Sequence, residues 1–159
     1  MLAIRLGWPL IDTDQQIVER FGKSIAAVFA AEGEAVFRAA ERELIQAACA
    51  ETARVISVGG GAPVDPTSRE RIRAGNLVVQ LVAAPETILG RLRSSPNAEE
   101  RPMLQGDDSL GRIRRLLAAR HESYGVANLV VDTDGRPIDA VADEIARRVW
   151  QEQAWQRQQ

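Results

Sequence analysis

The 159 residues hold one cysteine, one histidine, one lysine and one tyrosine, and most of these scarcities close off a class of chemistry. Cys49 alone can form no internal disulfide, so a reducing, cytoplasmic location is expected. It lies in an alanine-rich helical stretch where a small thiol fills space. His121 has no His or Cys near it, which leaves no zinc site to build. Beside Glu122 it reads either as a proton shuttle or, more plainly, as an exposed helical position. No apolar run reaches 18 residues, so no membrane-spanning helix is predicted. The apolar stretch at the start is too short, and lacks the cleavage signal, for a secretory leader. A net charge of −2 with no basic face argues against nucleic-acid binding. Nowhere does the sequence match G-x-x-x-x-G-K-[ST], the loop whose backbone N–H groups cradle phosphates. Gly22-Lys23-Ser24 has only its last three letters. Position 17 is Ile where the first Gly belongs, and a helical pattern precedes it instead of a strand.

What is present is an alternation of elements in a chain of one-domain length. Residues 1–6 read as the last turns of a helix closed by Gly7. Residues 8–12 form a short apolar strand. Thr13 or Asp14 caps a helix that carries Ile17, Val18 and Phe21 on one face and stops at Gly22. Ser24 starts a helix over 25–31. A longer one spans 34–52, with Phe37, Ala40, Leu44, Ile45 and Ala48 on one face. Residues 55–58 and 77–82 read as buried strands. Helices are predicted at 66–74, 85–93, 109–124 and 138–150. A strand falls at 129–132 and a turn at Asp134-Gly135. Residues 94–107 have loop chemistry, and the Gln-rich tail after Glu152 is expected to fray. Strands alternating with helices predict an α/β fold, a parallel sheet flanked by helices, with ligands at the carboxyl ends of its strands.

Two of the candidate sites lie at those ends, Asp12 with Asp14 after the first strand and the glycines after the second. Asp12 and Asp14 bracket a strand end where a helix begins, so both carboxylates can reach one cleft. One can orient Mg²⁺ through water and the other can accept a proton from a substrate hydroxyl. The plainer alternative is that Asp14 is only a helix cap. Gly59, Gly60 and Gly61 follow a strand. Three glycines carry a large entropic cost, which makes sense where backbone must approach a ligand and offer N–H groups; a plain tight turn is the alternative. The cationic side chains are nineteen arginines and Lys23. Arg38, Arg101 and Arg120 each read singly as solvated surface, but together they suit a carboxylate or a phosphoryl group.

In order and spacing these stretches resemble the shikimate kinases, of the P-loop, nucleoside-monophosphate-kinase-like fold. The resemblance covers residues 2–149. It rests on Leu-Gly-Trp-Pro-Leu-Ile-Asp-Thr-Asp, Phe-Gly-Lys-Ser-Ile-Ala, Glu-Gly-Glu-Ala-Val-Phe-Arg-Ala-Ala-Glu, Val-Ile-Ser-Val-Gly-Gly-Gly-Ala, Arg-Pro-Met-Leu and the segment from Arg120 to Tyr124. It implies transfer of the ATP γ-phosphoryl to the 3-hydroxyl of shikimate, in aromatic amino acid biosynthesis, by a monomer. Asp14 would bind substrate hydroxyls and help deprotonate the attacking one. Arg38 and Arg120 would clamp the carboxylate, and Gly59, Gly60 and Gly61 would wall the pocket. Arg101, from the family's lid, would stabilise the phosphoryl group and touch nucleotide. Asp12 would act on Mg²⁺ through water. Residues 132–137, Arg136 among them, occupy the place of the adenine-contacting loop.

The chain departs from the family at its start. The family's first strand, central in its sheet, and its phosphate loop are not among these residues. The resemblance therefore implies an N-terminally truncated kinase domain over 1–150 with a tail at 151–159. It further implies a three-layer sheet lacking its central strand and little activity from these residues alone. His121-Glu122-Ser123 also replaces a segment in which the family carries a proline. An alternative is a non-catalytic, ligand-sensing domain of a transcription regulator.

Overall fold

Glycine and aspartate punctuate the chain, and the elements run between them. The structure, a computed structural model, describes residues 1–95 and 108–156. Helix α1 (Leu2–Leu6) ends at Gly7 and α2 (Thr13–Phe21) at Gly22, both glycines in the left-handed region that a side chain disfavours. The helices predicted at 25–31 and 34–52 are one run, α3 (Ile25–Cys49), broken by a kink at Gly33 with φ 84° and ψ 165°. Ser24 caps its start, the side chain accepting from the Ala27 N–H. A 3₁₀ turn (Ala62–Val64) that the sequence reading did not anticipate precedes α4 (Pro66–Arg73). α5 (Pro85–Arg93) and α6 (Ser109–Tyr124) fall where periodicity placed them. α7 (Ile138–Gln156) does not stop at residue 150 but continues into the Gln-rich segment. Gln, Glu and Ala are good helix formers there, and no Gly or Pro interrupts them.

The strands form two parallel pairs. β1 (Leu10–Asp12) pairs with β2 (Val55–Ser57), and β3 (Val79–Val82) pairs with β4 (Leu129–Asp132). Three of them are shorter than predicted. Trp8, expected in the first strand, packs edge-on against Trp150 with ring centroids 6.1 Å apart. Neither are β2 and β3 buried as expected: β2 is half-buried with Ser57 exposed, and Leu81 of β3 is 60% exposed. The reason lies in the pairing. Val55 N–H donates to Pro9 O at 2.9 Å, and Val78 O accepts from Asn128 and Leu129 N–H. Successive residues of a parallel strand turn their polar groups to opposite neighbours. Ile56 on β2, and Val79 and Leu81 on β3, therefore face away from their partner strands. Val55, Ile56, Val78 and Val79 line one cavity of about 700 Å³, with Leu6 and Val149. Among the described residues no strand joins the pairs.

Helices cover both faces. Leu2 and Leu6 of α1, with Val141, Ile145 and Val149 of α7, pack on Val55, Val79, Leu129 and Val131. Arg5 ties these two helices together through Asp139, at 2.6 Å, and Asp143. Ile45 of α3, Ile72 of α4 and Ala62 pack against Val58 and Val78. A third cluster joins α2 to α3 through Ile17, Phe21, Val28, Phe29 and Phe37. Burying a side chain the size of Ile17, fully inaccessible here, stabilises by roughly 2 kcal/mol. That cluster sets α2, with Asp14 in its first turn, against α3 with Arg38.

Candidate active site

The cap of α2 decides what Asp14 is free to do. The sequence favoured Thr13 or Asp14 as cap, yet the capping residue is Asp12. Its Oδ1 accepts from Asp14 N–H and Gln15 N–H, each at 3.1 Å. Asp12 is extended, with φ −109° and ψ 111°, as a cap must be. Thr13 is fully buried and its hydroxyl donates to Ser57 O at 3.3 Å, pinning the start of α2 to β2. Asp14 is thereby left uncommitted above the turn that follows β2. Its carboxylate takes no hydrogen bond from any described residue.

That turn is the glycine triplet, and each glycine makes room for a different polar side chain. A Cβ on Gly59 would lie 2.7 Å from Asp14 Oδ1. One on Gly60 would lie 3.1 Å from the Tyr124 hydroxyl and 3.2 Å from Arg120 Nη1, and one on Gly61 would lie 2.9 Å from Arg38 Nη1. None of the three has a positive φ, so space and not backbone conformation calls for glycine. The sequence reading expected close approach to a ligand. The approach seen is to the protein's own Asp14, Arg38 and Arg120, gathered from α2, α3 and α6. The triplet's carbonyls are all taken, Gly59 O by Ala62 N–H, Gly60 O by the Tyr124 hydroxyl and Gly61 O by Val64 N–H. Its N–H groups bond to no described residue.

Glu41 is a member of this group that sequence reasoning missed. It is 1% exposed, and its Oε2 accepts from Arg38 Nη1 at 2.6 Å. Glu34 also reaches Arg38 Nε, at 3.4 Å. The signal was present: Glu41 stands in register with Phe37, Ala40, Leu44, Ile45 and Ala48, an acid inside an apolar stripe. Burial pushes its carboxyl above the usual range, against the pull of Arg38. The 2.6 Å bond to a guanidinium opposes that push without overcoming it. For Arg38 burial disfavours the charge, but the hydrogen bonds and charges of Glu41 and Glu34 outweigh it. Asp14 is raised as well, first by burial and then by Asp12, with Arg38 pulling the other way. A carboxylate held above its ordinary pKa is a stronger proton acceptor than a solvated one.

Arg120 has no hydrogen-bonding partner among the described residues, which leaves its donors available. Arg136 is placed differently. Its guanidinium donates to Asp132 O at 2.9 Å and pairs with Glu144 at 2.7 Å, so it is held on α7 and not at the glycine turn. The loop around it is anchored to β3 and α5. Asp134 Oδ2 accepts from Ala84 N–H at 2.8 Å, and Arg91 grips Thr133 Oγ1 at 2.8 Å and its carbonyl at 2.6 Å. Arg101 lies outside the described residues. His121 is exposed. No group of three His, Cys, Asp or Glu side chains among the described residues could cage a metal. Asp12, with Oδ2 unbonded, and Asp14 fit a hard cation met through water better than one enclosed by protein.

A family model described as shikimate kinase matches residues 1–150. The chain belongs to the shikimate kinase family. It is 41% identical over 150 residues to a shikimate kinase of Symbiobacterium thermophilum, covering 94% of this chain and 86% of that one. To a Thermus thermophilus shikimate kinase it is 41% identical over 149 residues, covering 94% and 80%. Among solved structures, the Acinetobacter baumannii shikimate kinase in complex with shikimate superposes with TM-score 0.81 at 29% identity, over 98% of this chain and 83% of that one. The Bacteroides thetaiotaomicron shikimate kinase gives 0.83 at 29% identity, over 96% and 88%. The α/β fold is thus that of the shikimate kinases, and the chain is an enzyme of that family. No helix among the described residues is long and apolar enough to cross a membrane.

Proposed function

We propose that this chain presents the acceptor site of an ATP-dependent shikimate kinase, which transfers the γ-phosphoryl group to the 3-hydroxyl of shikimate. The observation that carries it is the convergence of Asp14, Arg38 and Arg120 on three successive glycines. Two guanidinium groups beside an uncommitted carboxylate suit a ligand with an anionic end and a hydroxyl end. Arg38 and Arg120 clamp the carboxylate with planar forks that match its geometry. Glu41 holds the Arg38 fork at a fixed angle. Asp14 accepts the hydrogen bond of the attacking hydroxyl, and its raised pKa suits it to take the proton as the oxygen attacks. The unbonded N–H groups of Gly59, Gly60 and Gly61 offer donors along the pocket wall.

Phosphoryl transfer needs positioning and charge neutralisation more than covalent help from protein. Asp12 would hold Mg²⁺ through water, and the ion bound with ATP would neutralise phosphate charge. Arg101 is assigned to the transferring phosphoryl group and to nucleotide, and the loop at 132–137, with Arg136, to the nucleotide's flank. The setting is cytoplasmic aromatic amino acid biosynthesis, and the protein is a monomer.

Thermal unfolding with and without shikimate tests the reading. At a hundredfold excess over Kd a ligand that binds only the folded state adds about 2.7 kcal/mol. In a domain of this size that raises Tm by roughly 5–10 °C. No shift at saturating shikimate would overturn the proposal. Because the 159 residues contain no G-x-x-x-x-G-K-[ST], the polypeptide of these residues alone is expected to bind shikimate without forming product above background. Turnover at an ordinary kinase rate would contradict the assignment of the donor phosphates to such a loop.

A further inference from the structure

We propose that Tyr124 is a positioning residue that sets Arg120 against the glycine turn, and that Ser123 with Arg69 forms a second strut beside it. The proposal rests on reading Arg38 and Arg120 as a carboxylate clamp. The two arginines come from separate helices, α3 and α6, and the width of the clamp is fixed only as well as those helices are fixed to each other. α3 is anchored by two apolar clusters. α6 has a thinner hold, since Ile113 is its one fully buried apolar side chain and lies two turns before Arg120. Near Arg120 the attachment is polar.

That attachment has two parts. Tyr124, one turn beyond Arg120 and so on the same face of the helix, donates its hydroxyl to Gly60 O at 2.7 Å. Ser123, buried at 9% exposure, accepts at 3.4 Å from Arg69 Nη1, which also donates to Pro63 O at 3.3 Å. Both struts end on the segment from Gly60 to Pro63, on either side of Gly61, against which Arg38 lies. The Tyr124 hydroxyl and Arg120 Nη1 stand within 3.1 Å and 3.2 Å of one point, the Cβ position that Gly60 leaves empty. A shift of the end of α6 would move Arg120 relative to Gly60 directly. Tyr124 is the chain's single tyrosine, so loss of its hydroxyl has no substitute.

The test uses a ligand that lacks the charge. Shikimate and its methyl ester are titrated calorimetrically into the wild-type chain, Tyr124→Phe and Ser123→Ala. Removing one neutral hydrogen bond that aligns Arg120 should weaken shikimate binding about three- to tenfold in Tyr124→Phe. The ester, which gains little from a guanidinium, should change by less than about twofold, so the preference for acid over ester falls in Tyr124→Phe. Ser123→Ala, a small change that keeps the helix, should shift the preference in the same direction and by less. Equal weakening of acid and ester would show a merely structural role and overturn the proposal. Unchanged affinity for the acid would overturn it as well. A wild-type chain that binds neither ligand would overturn the clamp reading underneath it, a result distinguishable because it precedes any substitution.

Discussion

At the scale of single residues, the glycine turn and Asp14 carry the sharpest consequences. A methyl group on Gly59 meets Asp14 Oδ1 at 2.7 Å, closer than real contacts allow. Gly59→Ala should therefore displace the carboxylate and weaken shikimate binding at least about tenfold, while overpacking costs about 1–3 kcal/mol of stability in a urea titration. Asp14 itself is a site where function opposes stability. Its folded-state pKa is raised, so folding favours the protonated form, and the carboxylate costs stability progressively as pH rises through its unfolded value near about 4 and on to the folded one. Asp14→Asn should thus match the wild type in acid and exceed it in Tm near neutrality, while losing the carboxylate proposed to take the hydroxyl proton. A Tm for Asp14→Asn no higher than wild type at pH 7 would contradict the burial of this carboxylate. Asp14 and the triplet stood out in the sequence as an acid pair and a glycine run at strand ends, whereas Arg38 and Arg120 read singly as surface and were singled out by the family resemblance. Their true relation was not legible, since it depends on which helix faces which glycine. Glu41 escaped because an acid on an apolar helical stripe reads as an interruption of the pattern until its guanidinium partner is seen.

At the scale of elements, caps and kinks set the geometry. Asp12 caps α2 with one carboxylate oxygen, and Asp12→Ala should cost about 1 kcal/mol of stability by urea denaturation. Gly33 stands at φ 84° and ψ 165°, a region that is essentially glycine's alone, so Gly33→Ala should cost about 1–3 kcal/mol. Because the kink sits between Val28 and Phe37, the same change should loosen the cluster that carries α2. Helices were read well from sequence: glycine, proline and acidic caps mark their ends chemically, and among the described residues five of seven fall within a residue of expectation. Strand lengths were read poorly, because apolar runs such as 77–82 continue beyond the stretch that finds a partner. Only residues with a neighbouring strand, 79–82 here, complete a ladder.

At the scale of the whole molecule, the parallel α/β plan was legible from alternation alone. What could not be read was how the two strand pairs settle beside each other. They keep helices on both faces and leave a cavity of about 700 Å³ between the inner edges of β2 and β3. Hydrogen exchange should report this directly. The amides of Ile56 and Val79, turned toward the cavity, should exchange much faster than that of Val55, which is bonded to Pro9 O. Equal protection along β2 and β3 would contradict the arrangement. The proposed acceptor site lies on the α2–α3 cluster, the glycine turn and the end of α6. The most direct test is therefore a calorimetric titration of shikimate into the wild-type chain and into Arg120→Ala. The predicted result is saturable one-site binding by the wild type and at least about tenfold weaker binding by the variant, the loss expected for a charged hydrogen-bonding partner. Absence of binding to the wild type, or equal affinity in the two proteins, would contradict an acceptor site built from Asp14, Arg38 and Arg120 around Gly59, Gly60 and Gly61.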